Sequence, residues 1–397
     1  MTGTQPPPTA APLSKLGVVG VAAAVGLVPL NSTMIAVALP TIADDFDISV
    51  GRASILITVY LVAMLLGQPL AGRISDRVGN RKSVNIALVG FAAFSVACAA
   101  SGSFETLVAA RAGQAIFASA LAPSVQSLLR SGTAPAERGR MFGILGSVLG
   151  VGAASGPVVG GVLTEIFGWE AIFLVNLPVV AVALVVSIRL GVLGTEDSDS
   201  MEAVVSHGRI LNRVFNASFS AQALSTLAQY TLLLLTPIIL TAREWESGSI
   251  GLVLSALTVG MIVFGPAGGR VGDHSGRRRP VVAGLATGLV AMAVLLATGA
   301  DVEPILLIAM LTLFGIGLGV AVPNFMTAAL ESVPESRTGS AAGVLSMSRY
   351  VGSITTSLAV TAFVATDAGG TRILFAMATA SMALAMVVSV WLPSRTD

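Results

Sequence analysis

A chain of 397 residues with 54% hydrophobic and 11% charged side chains is too apolar for a soluble domain, in which about a quarter of residues carry charge. A net charge of +1 argues against a nucleic-acid partner. The single cysteine, Cys98, sits in an apolar run and excludes both an intramolecular disulfide and a cysteine-rich metal centre. With a mean hydropathy of +0.87, the composition is that of a polytopic protein whose solvent is the lipid bilayer.

Residues 1–15 are rich in Pro and Thr without periodicity and are expected to form a disordered tail. Apolar segments of roughly 20 residues or more follow, long enough to cross a ~30 Å hydrocarbon core as helices. Twelve are predicted, near 16–43, 51–72, 83–101, 105–129, 139–163, 171–190, 211–240, 249–269, 280–299, 304–331, 338–364 and 372–392. The acidic stretch at 191–210 is too polar to span and is expected to be a linker. It divides a six-helix bundle at 16–190 from a second at 211–392, with a short tail at 393–397. Lys and Arg collect on the side of the termini and the even-numbered turns, which predicts cytoplasmic termini in a cell membrane.

The two halves repeat each other. Gly72-Arg-Ile-Ser-Asp-Arg-Val-Gly-Asn-Arg-Lys82 is echoed 197 positions later by Gly269-Arg-Val-Gly-Asp-His-Ser-Gly-Arg-Arg-Arg279. Gly72, Arg73, Asp76, Gly79 and Arg81 align with Gly269, Arg270, Asp273, Gly276 and Arg278, and Arg77 adds a further charge. Gly72 and Gly79 are expected to permit a tight turn. Asp76 and Asp273 are suited to accept from helix N-terminal amides or to pair with an arginine, and so to latch two bundles together. Same-sense repeats about an axis along the membrane normal are one transporter plan, with the substrate site between the halves.

Over essentially its whole length the chain resembles the major facilitator superfamily, whose signature loop between helices 2 and 3 is similar to Gly72–Lys82. The resemblance implies an all-α fold of twelve transmembrane helices in two bundles related by a pseudo-twofold axis. It also implies alternating access around a site lined by the first, fourth, seventh and tenth helices. In the fifth segment, Gly152, Gly156, Pro157, Gly160 and Gly161 resemble the pattern of antiporter-type exporters. Gly152, Gly156 and Gly160, four apart on one face, invite close approach of a neighbouring helix, and Pro157 removes a backbone donor and favours a bend. Leu30–Pro40 resembles the first-helix motif of drug:proton antiporters, with Asn31 in place of that family's Asp. Leu107, Arg111 and Gln114 match the helix-4 motif in part, Ala115 and Phe117 standing where it has glycines.

Arg111 and Arg349 are the basic residues that fall well inside predicted spans, and no Asp or Glu does. An arginine at that depth is costly unless it faces protein or a watery cavity. They are therefore candidate cavity residues, together with Asn31, Met34, Gln114, Gln222, Gln229, Tyr230 and Asn324. Tyr60, Ser346, Phe117 and Met326 are further lining candidates. No nucleotide loop, metal cluster or catalytic constellation is present in the sequence, so neither enzyme activity nor a cofactor is expected. The predicted function is export of a small amphipathic compound by a monomeric secondary transporter, with protons as the coupling ion. An exchanger or facilitator of an anionic solute without proton coupling is the alternative. A non-transporting membrane sensor or scaffold is a third class.

Overall fold

A computed structural model describes residues 15–189, 210–245, 247–364 and 368–394. The expected linker and most of both tails lie outside them. Among the described residues, twelve long helical stretches follow one another: α1 Lys15–Asp45, α2 Ile55–Val78, α3 Asn80–Ala99, α4 Phe104–Ser131, α5 Arg138–Phe167, α6 Asn176–Arg189, α7 Arg213–Thr241, α8 Ser247–Ser275, α9 Arg278–Thr298, α10 Pro304–Glu331, α11 Thr338–Val364 and α12 Ala368–Val388. A turn at Ala171–Leu174 extends α6 to spanning length. No strand occurs among the described residues; the one β-bridge joins Gly276 to Ser394.

Among the described residues, nine stretches are long and apolar enough to cross a membrane, and α5 makes a tenth as a pair of segments, Pro135–Ala153 and Val158–Phe167, bent by 40°. The two that fall short, α4 and α11, both turn polar groups inward. Arg111, Gln114, Ser119, Ser124, Gln126 and Arg130 of α4 are all buried, as are Ser346, Ser348, Ser353 and Thr356 of α11. Their helices are sheltered by neighbours, so they can carry polarity that a lipid-facing helix cannot.

Helix ends are closed locally. Ser103 and Thr106 form a reciprocal capping box at the start of α4, which satisfies amides with no intrahelical partner. Asn212 caps α7 by accepting from the Phe215 amide at 2.8 Å while donating to the Ser332 carbonyl at 2.8 Å. Gly79 (φ 92°) and Gly276 (φ 82°) supply the left-handed residue in the α2–α3 and α8–α9 turns. Gly72, expected in the first of these turns, lies instead inside α2. Its missing side chain serves a helix crossing.

Neighbours obey a sixfold shift along the chain. Contacts of α1 with α5 and α6, α2 with α4, and α3 with α4 and α6 recur as α7 with α11 and α12, α8 with α10, and α9 with α10 and α12. The same shift relates the contacts between the halves: α2 with α11 matches α8 with α5, and α4 with α11 matches α10 with α5. This is the pseudo-twofold expected of a duplicated bundle.

Candidate functional site

The contacts that join the halves gather at the end carrying the α2–α3 and α8–α9 turns, where the repeated motif makes two matching latches. Asp76 at the end of α2 accepts from the Gly339 amide at 2.7 Å, from the Ser340 amide at 2.8 Å, and from the Ser340 hydroxyl. Asp273 in α8 accepts from the Gly139 amide at 2.9 Å and the Arg140 amide at 3.0 Å. Each carboxylate thus plugs the N-terminus of a helix in the other half, where unpaired amides and the helix dipole favour negative charge. Charge-assisted bonds of this kind contribute about 1.5–3 kcal/mol each. Asp273 is also held by Arg277 at 2.7 Å, which in turn reaches Glu331 at 3.3 Å. On the other latch, Arg130 donates to Thr338 Oγ1 at 2.6 Å and to the Val333 carbonyl at 2.8 Å.

The glycines let the backbones approach. A Cβ on Gly72 would strike the Gly339 carbonyl, and one on Gly269 would strike the Gly139 carbonyl. Both obstacles are main chain and cannot swing aside. Arg73 and Arg77 are exposed. Arg81 donates to the Ser187 and Ile188 carbonyls at 3.3 and 3.4 Å, capping the last turn of α6.

Above the latches, α5 and α11 change partners at matching positions. Ser147 Oγ donates to the Ile262 carbonyl of α8 at 2.7 Å, and Gly150 still faces Ile262. From Gly152 onward the neighbour is α1: Gly152 abuts the Gly26 carbonyl, Gly156 abuts Thr33 and the Leu30 carbonyl, and Gly160 abuts Met34. Gly161, by contrast, has only Val37 within 4 Å, at 3.8 Å. In the second half, Gly343 of α11 faces the Gln68 carbonyl of α2, whereas Gly352 faces the Ala223 carbonyl of α7. Gly352 lies 200 positions after Gly152. The glycine-rich motif of α5 therefore has a counterpart in α11 that its sequence, with fewer glycines, does not advertise.

At the level where the partners change, the three tyrosines of the chain meet the two mid-span arginines. The Arg111 guanidinium lies over the Tyr60 ring at 4.0 Å and within 5.7 Å of the Phe173 centroid. Tyr60 and Tyr350 are neighbours across the interface, and Arg349 neighbours both Tyr350 and Tyr230. Tyr230 is 37% exposed, and Arg349 is partly exposed. Gln68 faces the Tyr350 hydroxyl, yet its amide has no hydrogen bond of ordinary geometry. Tyr350 and Gln68 carried no sequence signal beyond being polar groups in apolar helices.

The predicted cavity residues separate into groups. Arg111, Asn31 and Gln114 come together inside the first bundle, all essentially unexposed. Arg111 Nη1 donates to Asn31 Oδ1 and to Gln114 Oε1 at 2.5 Å, and Gln114 Nε2 donates to Ser95 Oγ at 2.7 Å. Among the described residues no carboxylate lies within 4.0 Å of Arg111 or Arg349. The penalty for burying such a charge is several kcal/mol, and a desolvated cation–π contact returns about 2. Arg349 and Tyr230 form the second group. Gln222 is buried with its carbonyl oxygen unpartnered, and Gln229 donates to Met261 Sδ at 3.5 Å. Gln126, which was not singled out in the sequence, donates to the candidate Ser346 across the interface at 3.2 Å. Met34 and Asn324 serve packing: Met34 is the floor for Gly160, and Asn324 donates to the Gly268 carbonyl of α8 and the Val320 carbonyl, both at 2.8 Å. Among the described residues, no group of three or more metal-ligating side chains is clustered.

Comparison with known proteins agrees with this geometry. The chain is 25% identical over 383 residues to the uncharacterized MFS-type transporter YvkA of Bacillus subtilis (strain 168), covering 83% of this chain and 86% of that one. It is 37% identical over 165 residues to the tetracenomycin C resistance and export protein of Streptomyces glaucescens, a match that takes in 42% of this chain and 31% of that protein. The alignment thus spans less than a third of that export protein's length. The fold superposes on the crystal structure of the human organic anion transporter MFSD10 with a TM-score of 0.76 at 18% identity, covering 97% of this chain and all of that one. The family model described as the Major Facilitator Superfamily matches residues 21–207 and 218–397, and the chain belongs to that superfamily.

Proposed function

We propose that this transporter exports a small amphipathic compound across the cell membrane by alternating access, in exchange for protons. The observation that carries the reading is the paired latch: Asp76 and Asp273 each close the same end of the molecule onto a helix N-terminus of the opposite half. With the Lys- and Arg-rich turns cytoplasmic, this is the state shut to the cytoplasm. The direction of transport is supported by the glycine-proline sequence motif of α5 and by the export function in the name of the Streptomyces glaucescens relative. The Tyr60, Tyr230, Tyr350 and Arg349 cluster is the substrate site in this reading. Its aromatic faces and one partly exposed cation suit a flat, amphipathic solute.

The carboxylates near helix ends are differently employed. Glu105 pairs with Arg52 at 2.8 Å and Asp45 accepts from Trp169 Nε1 at 3.0 Å, while Asp44 is exposed. Asp76 is the one of these whose protonation would loosen the contact between the halves, because a neutral carboxyl loses charge-assisted acceptance from two amides. Reconstituted protein tested with a panel of amphipathic compounds, with and without an imposed pH gradient, decides the matter. Gradient-driven accumulation that disappears in Asp76→Asn is expected. A gradient response that survives neutralisation of Asp44, Asp45, Glu105 and Asp76 together would overturn the proton-coupled form.

A further inference from the structure

The Arg111 pocket holds a charge that the described residues do not balance. Arg111 is fully buried, and the ionisable side chains acting on it are Tyr60 and Cys98, both neutral at physiological pH. Its Nη1 is engaged by Asn31 and Gln114, but Nε and Nη2 have no acceptor. Two neighbours share this condition. Asn31 spends its carbonyl oxygen on Arg111 and leaves Nδ2 unpartnered, and the buried Tyr60 hydroxyl, on the ring beneath the guanidinium, is unpartnered as well. All four orphaned groups are hydrogen-bond donors. They come from α1, α2 and α4, three helices gathered around one cation. Water could satisfy the donors, but it leaves the charge unbalanced, and a solvated cation would instead have acceptors and exclude these donors.

We infer that the pocket bounded by Arg111, Asn31 and Tyr60 binds a monovalent anion, which supplies the negative charge and the acceptor capacity the protein leaves out. Two sources have that chemistry: a free halide, or the acid group of a solute. Asn31 is the residue that separates them from a merely structural arginine. In Asn31→Asp the protein carries its own carboxylate next to Arg111, and the anion becomes redundant.

The test uses the full chain in lipid nanodiscs and reads thermal unfolding. Sodium chloride and sodium bromide are compared with sodium gluconate at equal ionic strength, and sodium benzoate is added separately at low concentration. For a free halide, the unfolding midpoint rises saturably by at least about 2 °C with chloride or bromide, and Asn31→Asp shows the higher midpoint in gluconate with no halide response. For a solute's acid group, halides are silent, benzoate raises the midpoint of the wild type, and Asn31→Asp abolishes that rise. Either pattern supports the site. The inference is overturned if neither salt nor benzoate shifts the wild type relative to gluconate, or if the shift persists undiminished in Asn31→Asp. Because the readout is stability, the outcome is independent of whether the protein exports anything.

Discussion

At the scale of single residues, contacts between the halves concentrate in two carboxylates. The second loop departs further from the motif than the first, which at sequence level suggests a weaker role for Asp273. In the folded chain Asp273 accepts the same pair of amides and gains Arg277, so equal weight is expected. Asp76→Asn or Asp273→Asn presents an amide NH2 to backbone donors and removes the charge. Each should shift the closed state by about 1.5–3 kcal/mol, roughly 10- to 100-fold in population. Spin labels at the exposed positions Arg77 and Glu335 report it as growth of the longer distance, the native Cys98 being buried. Unchanged distance distributions would refute the latch. The acids were legible because glycines and an aspartate recur at matched offsets. Their partners were not, because Asp76 meets residues 263 and 264 positions away and no local pattern encodes that. Asn324 misleads for a similar reason: a buried amide in a helix looks the same whether it greets a solute or a neighbouring carbonyl.

At the scale of elements, the glycine face of α5 is a packing surface against α1. Without a hydrophobic drive between helices in lipid, close backbone approach is what holds them. Gly156→Leu would drive its side chain into Thr33 and the Leu30 carbonyl, an overpacking of about 1–3 kcal/mol or more. Val158 on the same helix is 70% exposed, and Val158→Leu should be neutral. The pseudo-symmetry extends this to α11: Gly352→Leu should fail as Gly156→Leu does, because it meets the Ala223 carbonyl and Thr226. Yield of monodisperse protein and its unfolding midpoint check all three, and a wild-type Gly352→Leu would break the correspondence. Gly352 escaped notice in the sequence because it stands without the glycines and proline that mark its counterpart.

At the scale of the molecule, the twelve long helices among the described residues and the duplication were legible from segment length and from the 197-residue echo. The exceptions are instructive. α4 and α11 fall short of a membrane span by hydropathy and pack against each other at the junction of the halves, where neighbouring helices shelter their polar groups. What no run length reveals is the state of the transporter, since closure at one end is a matter of which surfaces meet. Two latches holding one closed state and lying in different helices should act independently. The double variant Asp76→Asn/Asp273→Asn should therefore open by the product of the single population shifts. The same label pair measures it, and an effect no larger than the stronger single variant would mean that one latch alone bears the load.

The bend in α5 has a mechanical corollary. Its segment from Arg138 to Ala153 is about 24 Å long and lies along the second bundle at its start; the segment from Val158 to Phe167 is about 15 Å and belongs to the first. With the 40° corner between them, the helix is a cranked lever. Any rigid-body tilt that frees the long arm sweeps the short arm's tip through roughly two-thirds of the same displacement, in a different direction. Release at the latches is thereby felt at the far side of the membrane without a chain of intermediate contacts.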